Sequence, residues 1–152
     1  MKSVDGYYKT RAELVPEGIY NIISGKEANA KLKAFISCPM NEKDEAEVRK
    51  VQADALSNLN HIAHCLRKDV QFELLETYTK NDVPDGAGRV WFLGDSIRIL
   101  DSADILIFAG DWEKSKGCRR EKAIATEYGI PNFTDKDLLF CISRVLTLKI
   151  KI

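Results

Sequence analysis

The chain has 152 residues, of which 45% are apolar and 30% charged, which is enough for one domain with a hydrophobic core and too few for two ordinary ones. Lys plus Arg and Asp plus Glu both total 23, so no net charge attracts a nucleic-acid polymer or an anionic membrane surface, and a small-molecule ligand is favoured. The four cysteines form no C-x-x-C pair, and we find no signal or membrane-spanning segment. These features predict a cytoplasmic protein with reduced thiols.

The first half of the chain predicts one strand and one long helix. Residues 1–30 show no clear pattern, and we assign them to an N-terminal extension that serves as a lid or an oligomer contact. The strand covers residues 33–37 (KAFIS) and ends before Pro39, because proline interrupts strand pairing. From Asn41 onward apolar residues recur at intervals of three and four, which is typical of an amphipathic helix. They are Val48, Val51, Ala55, Leu59, Ile62 and Leu66.

The second half alternates strands and helices. The patterns predict strands at 72–75, 105–108 and 130–133, a loop at 81–88, a short helix at 95–100, a helix at 116–128 and a final helix after 134. Thr134 and Asp137 resemble a capping box that begins this last helix. Such alternation predicts an α/β fold over residues 31–152: a single-domain, three-layer sandwich with a mostly parallel, flavodoxin- or Rossmann-like sheet of about four to five strands.

The helix predicted at 116–128 places a carboxylate where apolar residues should lie. At about 100° per residue, Glu121 falls near the middle of the apolar face. The other members of that face are Cys118, Ile124, Ala125 and Tyr128. An isolated buried carboxylate is costly, so Glu121 must be paired, protonated or part of a site. We take it as the candidate catalytic residue, and the alternative is a Glu that only pairs with a basic neighbour or caps backbone.

Two loops carry residues that suit a ligand. In an open parallel sheet a ligand binds beyond the carboxyl ends of the strands, where the strand order reverses. The loops at 37–41 and 109–117 lie there, and they offer hydroxyls, a second carboxylate, close backbone approach and an aromatic face for stacking. These residues are Ser37, Gly110, Asp111, Trp112, Ser115 and Gly117. Trp112 is equally well interpreted as a partly buried loop aromatic.

Four short motifs follow one another in this region: AD before an apolar strand, GDW at 110–112, SKGC at 115–118, and Glu121. Together they resemble the nucleoside 2-deoxyribosyltransferase superfamily, most of all its short, often phage-associated members. The resemblance implies that Glu121 is the nucleophile at C1′ of a nucleoside or nucleotide, and that Ser115 helps to bind the sugar or phosphate. It also implies a substrate-binding turn after the first strand, formed here by Ser37, Pro39 and Met40.

The resemblance further implies an assisting carboxylate in the helix before the AD motif. Asp95 falls nearest to that position, while the register favours Ser96, and Asp111 is the alternative by proximity. A second carboxyl group would manage the proton of the departing base. Arg119 and Arg120 stand where the family often has small residues, and they either bind a phosphate or lie solvated at the surface.

Two other functions stay open. The FIS of the first strand and the S-x-G-C-x-x-E spacing also resemble Toll/interleukin-receptor-type domains, some of which cleave the nicotinamide–ribose bond of NAD through a Glu. A nucleotide-binding module without turnover is the third hypothesis. By resemblance to the superfamily we expect a homo-oligomer in which a neighbour completes the pocket. We expect no cofactor. We also expect no metal site at His61, His64 and Cys65, because the periodicity of the long helix places Ile62 and Leu66 inward and His61 away from them.

Overall fold

The sheet positions the candidate site. A computed structural model describes residues 11–39, 44–76 and 85–151, and Met40 of the predicted turn lies outside them. In this part of the chain four strands form one sheet, namely β1 (Lys31–Ser37), β2 (Gln71–Leu74), β3 (Ile105–Phe108) and β4 (Asn132–Thr134). Their order is β2-β1-β3-β4, and every neighbouring pair is parallel. The strand order therefore reverses between β1 and β3, which is where an open parallel sheet offers a ligand crevice.

Helices cover both faces of the sheet. They are α1 (Arg11–Ile23), α2 (Glu45–Leu66), α3 (Arg89–Leu100), α4 (Lys116–Glu127) and α5 (Asp135–Lys151). One hydrophobic cluster joins α1, α2 and α5 to one face, and a smaller cluster joins α3 and α4 to the other. The α/β class and the three-layer, single-domain architecture predicted from the sequence are confirmed, with a sheet of four parallel strands.

Alternation along β1 sets the direction of its last side chain. Ala34 and Ile36 belong to the cluster under α1, α2 and α5, whereas Phe35 belongs to the cluster under α3 and α4. Because successive side chains of a strand point to opposite faces, Ser37 lies on the same face as Phe35. The hydroxyl at the carboxyl end of β1 thus faces the α3/α4 layer.

Two helix starts follow from local capping. α2 begins at Glu45 rather than near Asn41, because the Asp44 side chain accepts a hydrogen bond from the Glu47 amide at 2.8 Å. The predicted capping box before α5 is present: the Thr134 amide donates to Asp137 at 2.9 Å, and the Asp137 amide donates to the Thr134 hydroxyl at 3.1 Å. Each cap satisfies amides that the first helical turn leaves without an internal partner.

α3 is longer than the predicted helix, since it begins at Arg89 rather than at Asp95. Its first turns contain the consecutive apolar residues Val90, Trp91, Phe92 and Leu93, followed by Gly94. A run of this kind has no period of 3.6 residues, so it gives no helical signal. Val90 and Phe92 are exposed, and the part of α3 that faces the sheet lies toward Leu100.

The segment before β1 contributes to the core. Val15, Ile19 and Ile23 of α1 are buried in the same cluster as α2 and α5. Residues 11–30 of the predicted extension are therefore packed against the α2 and α5 side of the domain, whereas residues 1–10 lie outside the described ranges. None of the helices in the described ranges combines the length and the apolar character needed to cross a membrane.

Candidate active site

Glu121 lies at the carboxyl end of β1, in contact with the side chain that ends this strand. Ser37 Oγ donates a hydrogen bond of 2.6 Å to Glu121 Oε1. Both residues are buried, with only 6% of Glu121 and 4% of Ser37 exposed. Burial raises the pKa of the Glu121 carboxyl, and the hydroxyls of Ser37 and Ser96 oppose that shift. The predicted inward position of Glu121 is therefore confirmed.

The first turn of α4 brings Glu121 to this place. Ser115 is the N-cap of the helix and accepts a hydrogen bond from the Cys118 amide at 3.3 Å. Cys118, Glu121 and Ala125 are the buried residues of α4 and belong to the predicted face, whereas Ile124 is only half-buried. Tyr128 does not belong to it and is 76% exposed, because the helix ends at Glu127 and Tyr128 is its C-cap.

A thiol completes the surroundings of the carboxyl group. Cys118 is buried, and this burial is the main cause of its raised pKa. Hydrogen bonds with the side chains of Ser115 and Ser37 oppose the shift, and the charge of Glu121 adds to it. A thiol with a raised pKa beside a carboxyl group is a poor nucleophile, so Cys118 is a packing residue of the site.

Ser96, rather than Asp95, reaches Glu121 from α3. The Ser96 hydroxyl favours the ionised form of the Glu121 carboxyl and lowers its pKa, so it lies close to this group. Its oxygen also lies 3.0 Å from the Phe92 carbonyl and 3.2 Å from the Leu93 carbonyl of the same helix. Asp95 pairs instead with Arg98 at 2.8 Å. Ser96, which the register favoured over Asp95, is thus the α3 side chain that affects the pKa of Glu121.

The two predicted loops meet beside this cluster. A Cβ atom added to Gly110 would lie 3.8 Å from Pro39 Cδ, which places the turn after β1 against the turn after β3. Gly110 has a φ of +64°, a conformation that glycine adopts without strain, and its amide donates to Asp135 at 3.1 Å. Gly117 is half-buried in the first turn of α4.

Trp112 packs against the sheet instead of projecting from its loop. Its ring centroid lies 5.5 Å from that of Phe108, and both rings contact the Lys122 ammonium, at 5.4 Å for Phe108 and 5.7 Å for Trp112. Lys122 also donates to Asn132 at 2.6 Å. These contacts favour the interpretation of Trp112 as a partly buried loop aromatic.

Three predicted charged residues are exposed, in contrast to the buried carboxyl group of Glu121. Asp111 is exposed, and no hydrogen bond or ion pair described between residues 85 and 151 joins its side chain to Glu121. Arg119 is exposed and donates to the Glu113 carbonyl at 2.7 Å, which ties α4 to the preceding turn. Arg120 is exposed as well. The second carboxylate expected beside Glu121 is not among its described contacts.

The His61, His64 and Cys65 group lies on α2, on the opposite face of the sheet. Together with Lys68 these residues line a surface depression. Across the described ranges, no group of three or more His, Cys, Asp or Glu side chains is arranged to hold a metal ion.

The candidate site is the Glu121 cluster, which consists of Ser37, Ser96, Ser115, Cys118 and Glu121. It joins the end of β1, the middle of α3 and the first turns of α4. Sequence reasoning named Ser37, Ser115 and Glu121 for chemistry and treated Cys118 as packing, whereas Ser96 was visible only through the register of α3. Comparison of the chain with protein-family models, with curated proteins and with solved structures gave no match.

Proposed function

We propose that this protein binds a nucleoside or nucleotide and cleaves or transfers its N-glycosidic bond, with Glu121 as the nucleophile. One observation carries the proposal: a buried carboxyl group held by Ser37 at the point where the strand order reverses. A parallel sheet places ligands at this point, and burial with a specific hydrogen-bond partner is typical of a functional carboxylate.

The chemistry of a carboxylate suits this bond. Cleavage at C1′ of a nucleoside passes through a centre with oxocarbenium character, which a carboxylate stabilises and then traps as a glycosyl ester. Water or a second base then attacks C1′ and releases the carboxylate. Gly110 is exposed and Ser115 is half-buried, so both are accessible to a sugar.

The proposed mechanism requires that a substrate reach the buried oxygens of Glu121. Because only 6% of the residue is exposed, neighbouring atoms must move before a substrate can reach its oxygens. A reacting atom must approach within about 3–3.5 Å of the carboxyl oxygen for attack.

The first experiment measures free base released from a panel of deoxynucleosides, ribonucleotides and NAD. We expect base release by the wild type and its loss, by at least about 1,000-fold, in Glu121→Gln, because an amide cannot form the ester. Glu127→Gln is the matched control, since Glu127 is an exposed residue of the same helix. It should retain the wild-type rate.

The panel also separates the competing functions. Release restricted to nicotinamide from NAD would identify an NAD glycohydrolase, and exchange of one added base for another would identify a transferase. Turnover that survives in Glu121→Gln would disprove the proposed nucleophile. A nucleotide that raises the melting temperature without any product would instead indicate a binding module.

The proposal includes a cytoplasmic location and self-association. All four cysteines, which lie in the described ranges, are free thiols, and this supports a reducing compartment. Light scattering at several concentrations tests whether the chain forms a homo-oligomer.

A further inference from the structure

The Ser37 hydroxyl is directed to Glu121 and not to the ligand side of the sheet. Ser37 Oγ donates its hydrogen to Glu121 Oε1 at 2.6 Å, which is short for a hydrogen bond between two oxygens. Only 4% of Ser37 is exposed, so a ligand meets little of this residue. A hydroxyl group has one hydrogen to donate, and here a protein group accepts it. This geometry favours a role of Ser37 toward Glu121 over the substrate contact that the family resemblance implies.

The backbone of Ser37 is fixed in the middle of the sheet. Ser37 is the last residue of β1, a central strand, and it lies opposite Phe108, the last residue of β3. Its carbonyl accepts a hydrogen bond from the Ala109 amide at 2.8 Å, which continues the pairing of β1 with β3 up to the edge of the sheet. Central, hydrogen-bonded strands are the most stable parts of a fold. The hydroxyl of Ser37 is therefore held at a defined place.

The backbone of Glu121 is fixed separately, on α4. The Ser115 side chain caps this helix, and Cys118 and Ala125 on either side of Glu121 are buried in the cluster under α3 and α4. These contacts determine where the glutamate backbone lies, but they leave the torsions of its long side chain to be set by other atoms. The hydrogen bond from Ser37 restricts those torsions, because it connects the carboxyl group at the end of the side chain to the strand.

We propose that Ser37 is a positioning residue, whose hydroxyl ties the Glu121 carboxyl group to the end of β1 and so sets the direction from which this carboxyl group meets C1′ of a substrate. Ser37 then acts through Glu121 and does not bind the substrate itself. The effect on the reaction rests on the proposed function, whereas the fixed orientation of Glu121 in the free protein does not. A reacting group misplaced by about 1 Å loses about 100-fold in rate, so such a tie has a measurable effect.

The first test measures the mobility of the Glu121 side chain without substrate. The whole protein is labelled with ¹³C at the glutamate Cγ, and the Glu121 signal is identified by its absence in Glu121→Gln. NMR relaxation should give Glu121 a higher order parameter than Glu127, an exposed residue of the same helix. Equal mobility of the two side chains would overturn the proposal, and this comparison needs no Ser37 variant.

The second test removes the hydroxyl. In Ser37→Ala the order parameter of Glu121 should fall, because the carboxyl group loses its connection to β1. Ser102→Ala, which removes a hydroxyl from the exposed turn after α3, is the control and should leave it unchanged. An order parameter that stays the same in Ser37→Ala would show that other contacts hold Glu121 and would overturn the proposal.

Single-turnover base release separates positioning from substrate binding. In Ser37→Ala the maximum rate should fall by about 100-fold while the half-saturating substrate concentration stays within about twofold, because the nucleophile is misplaced and the substrate contacts are kept. Ser102→Ala should retain both wild-type values. A higher half-saturating concentration with an unchanged maximum rate would show that Ser37 binds the substrate, and that result would overturn the proposal.

The two proposals fail in different ways. Absence of base release by the wild type from every substrate of the panel would remove the proposed function, and the order parameters would then decide the role of Ser37 by themselves. Base release that depends on Glu121 but is unchanged in Ser37→Ala would keep the proposed nucleophile and remove the positioning role.

Discussion

At the scale of single residues, the burial of the Glu121 carboxyl group costs free energy, and its hydrogen bond with Ser37 offsets part of that cost. Burying a carboxyl group disfavours its charged form, and a hydroxyl hydrogen bond restores part of the loss. The 2.6 Å contact is formed by residues 84 positions apart in the chain. Such a pair arises only where the fold brings a strand end against a helix face.

The raised pKa of Glu121 predicts a pH-dependent stability. The folded protein holds this proton to a higher pH than the unfolded chain does, so it binds more protons between the two pKa values. Stability therefore falls as pH rises from the ordinary glutamate pKa of about 4.3 to the raised value in the folded protein. Glu121→Gln lacks this dependence, so its melting temperature should rise relative to that of the wild type as pH increases across that interval.

Thermal unfolding at a series of pH values checks this expectation. Glu127→Gln, on the exposed side of the same helix, should follow the wild-type curve. Parallel curves for wild type and Glu121→Gln would contradict the raised pKa.

Ser37 provides a second prediction at this scale. Its hydrogen bond is stronger to a carboxylate than to a neutral acid, because charge-assisted bonds are stronger. Ser37→Ala should therefore raise the pKa of Glu121 further, as a ¹³C titration of the Glu121 carboxyl group would show. Ser24→Ala, at an exposed turn after α1, is the control. A pKa that falls in Ser37→Ala would show that Ser37 does not stabilise the ionised form.

At the scale of elements, α2 protects the free edge of β2. The Gln71 amide donates to the carbonyl of Ala30, just before β1, and the Leu75 amide, just after β2, donates to the carbonyl of Ala34. Because backbone groups alternate in direction along a strand, those of Phe72 point away from β1. The Asn60 side chain pairs with both of its groups, accepting from the Phe72 amide at 2.8 Å and donating to its carbonyl at 3.0 Å. A side chain thus takes the place of a neighbouring strand.

Replacement of Asn60 tests this edge contact. Asn60→Ala leaves two backbone groups of a buried residue without these partners, and we expect a loss of about 1–3 kcal/mol in the free energy of unfolding. Urea denaturation measures the loss. Asn58→Ala, on the same helix, should change stability by less than about 0.5 kcal/mol, because it removes no such contact. Equal effects of both variants would show that the edge contact contributes nothing.

At the scale of the whole molecule, the placement of α1 decides where the domain begins. Ile19 of α1 is fully buried in the cluster that also contains residues of α2 and α5. Tyr20, its neighbour in sequence, is 50% exposed. Ile19→Ala should therefore lower the free energy of unfolding of the full chain by about 2–5 kcal/mol. Tyr20→Ala is the control and should cost far less, as denaturant unfolding would show. Similar losses would mean that α1 is not part of the core.

What the sequence by itself determined is local and periodic. The apolar run of β3, the stripe of α2 and the Thr134 capping box depend on residues within a few positions of one another, and the structure contains all three. The inward position of Glu121 also followed from helical periodicity alone. The early start of α3 was missed because its consecutive apolar residues have no period.

The tertiary structure decided which residues surround Glu121. Helical periodicity placed this residue inward without naming its partners, and the partners come from β1, 84 positions earlier, and from α3. The strand order β2-β1-β3-β4 sets β1 beside β3 and brings the two ligand loops together. The distances between these residues depend on how the sheet and the helix layers pack, and no local sequence pattern predicts them. The physical reason is that packing joins residues whose positions in the chain are unrelated.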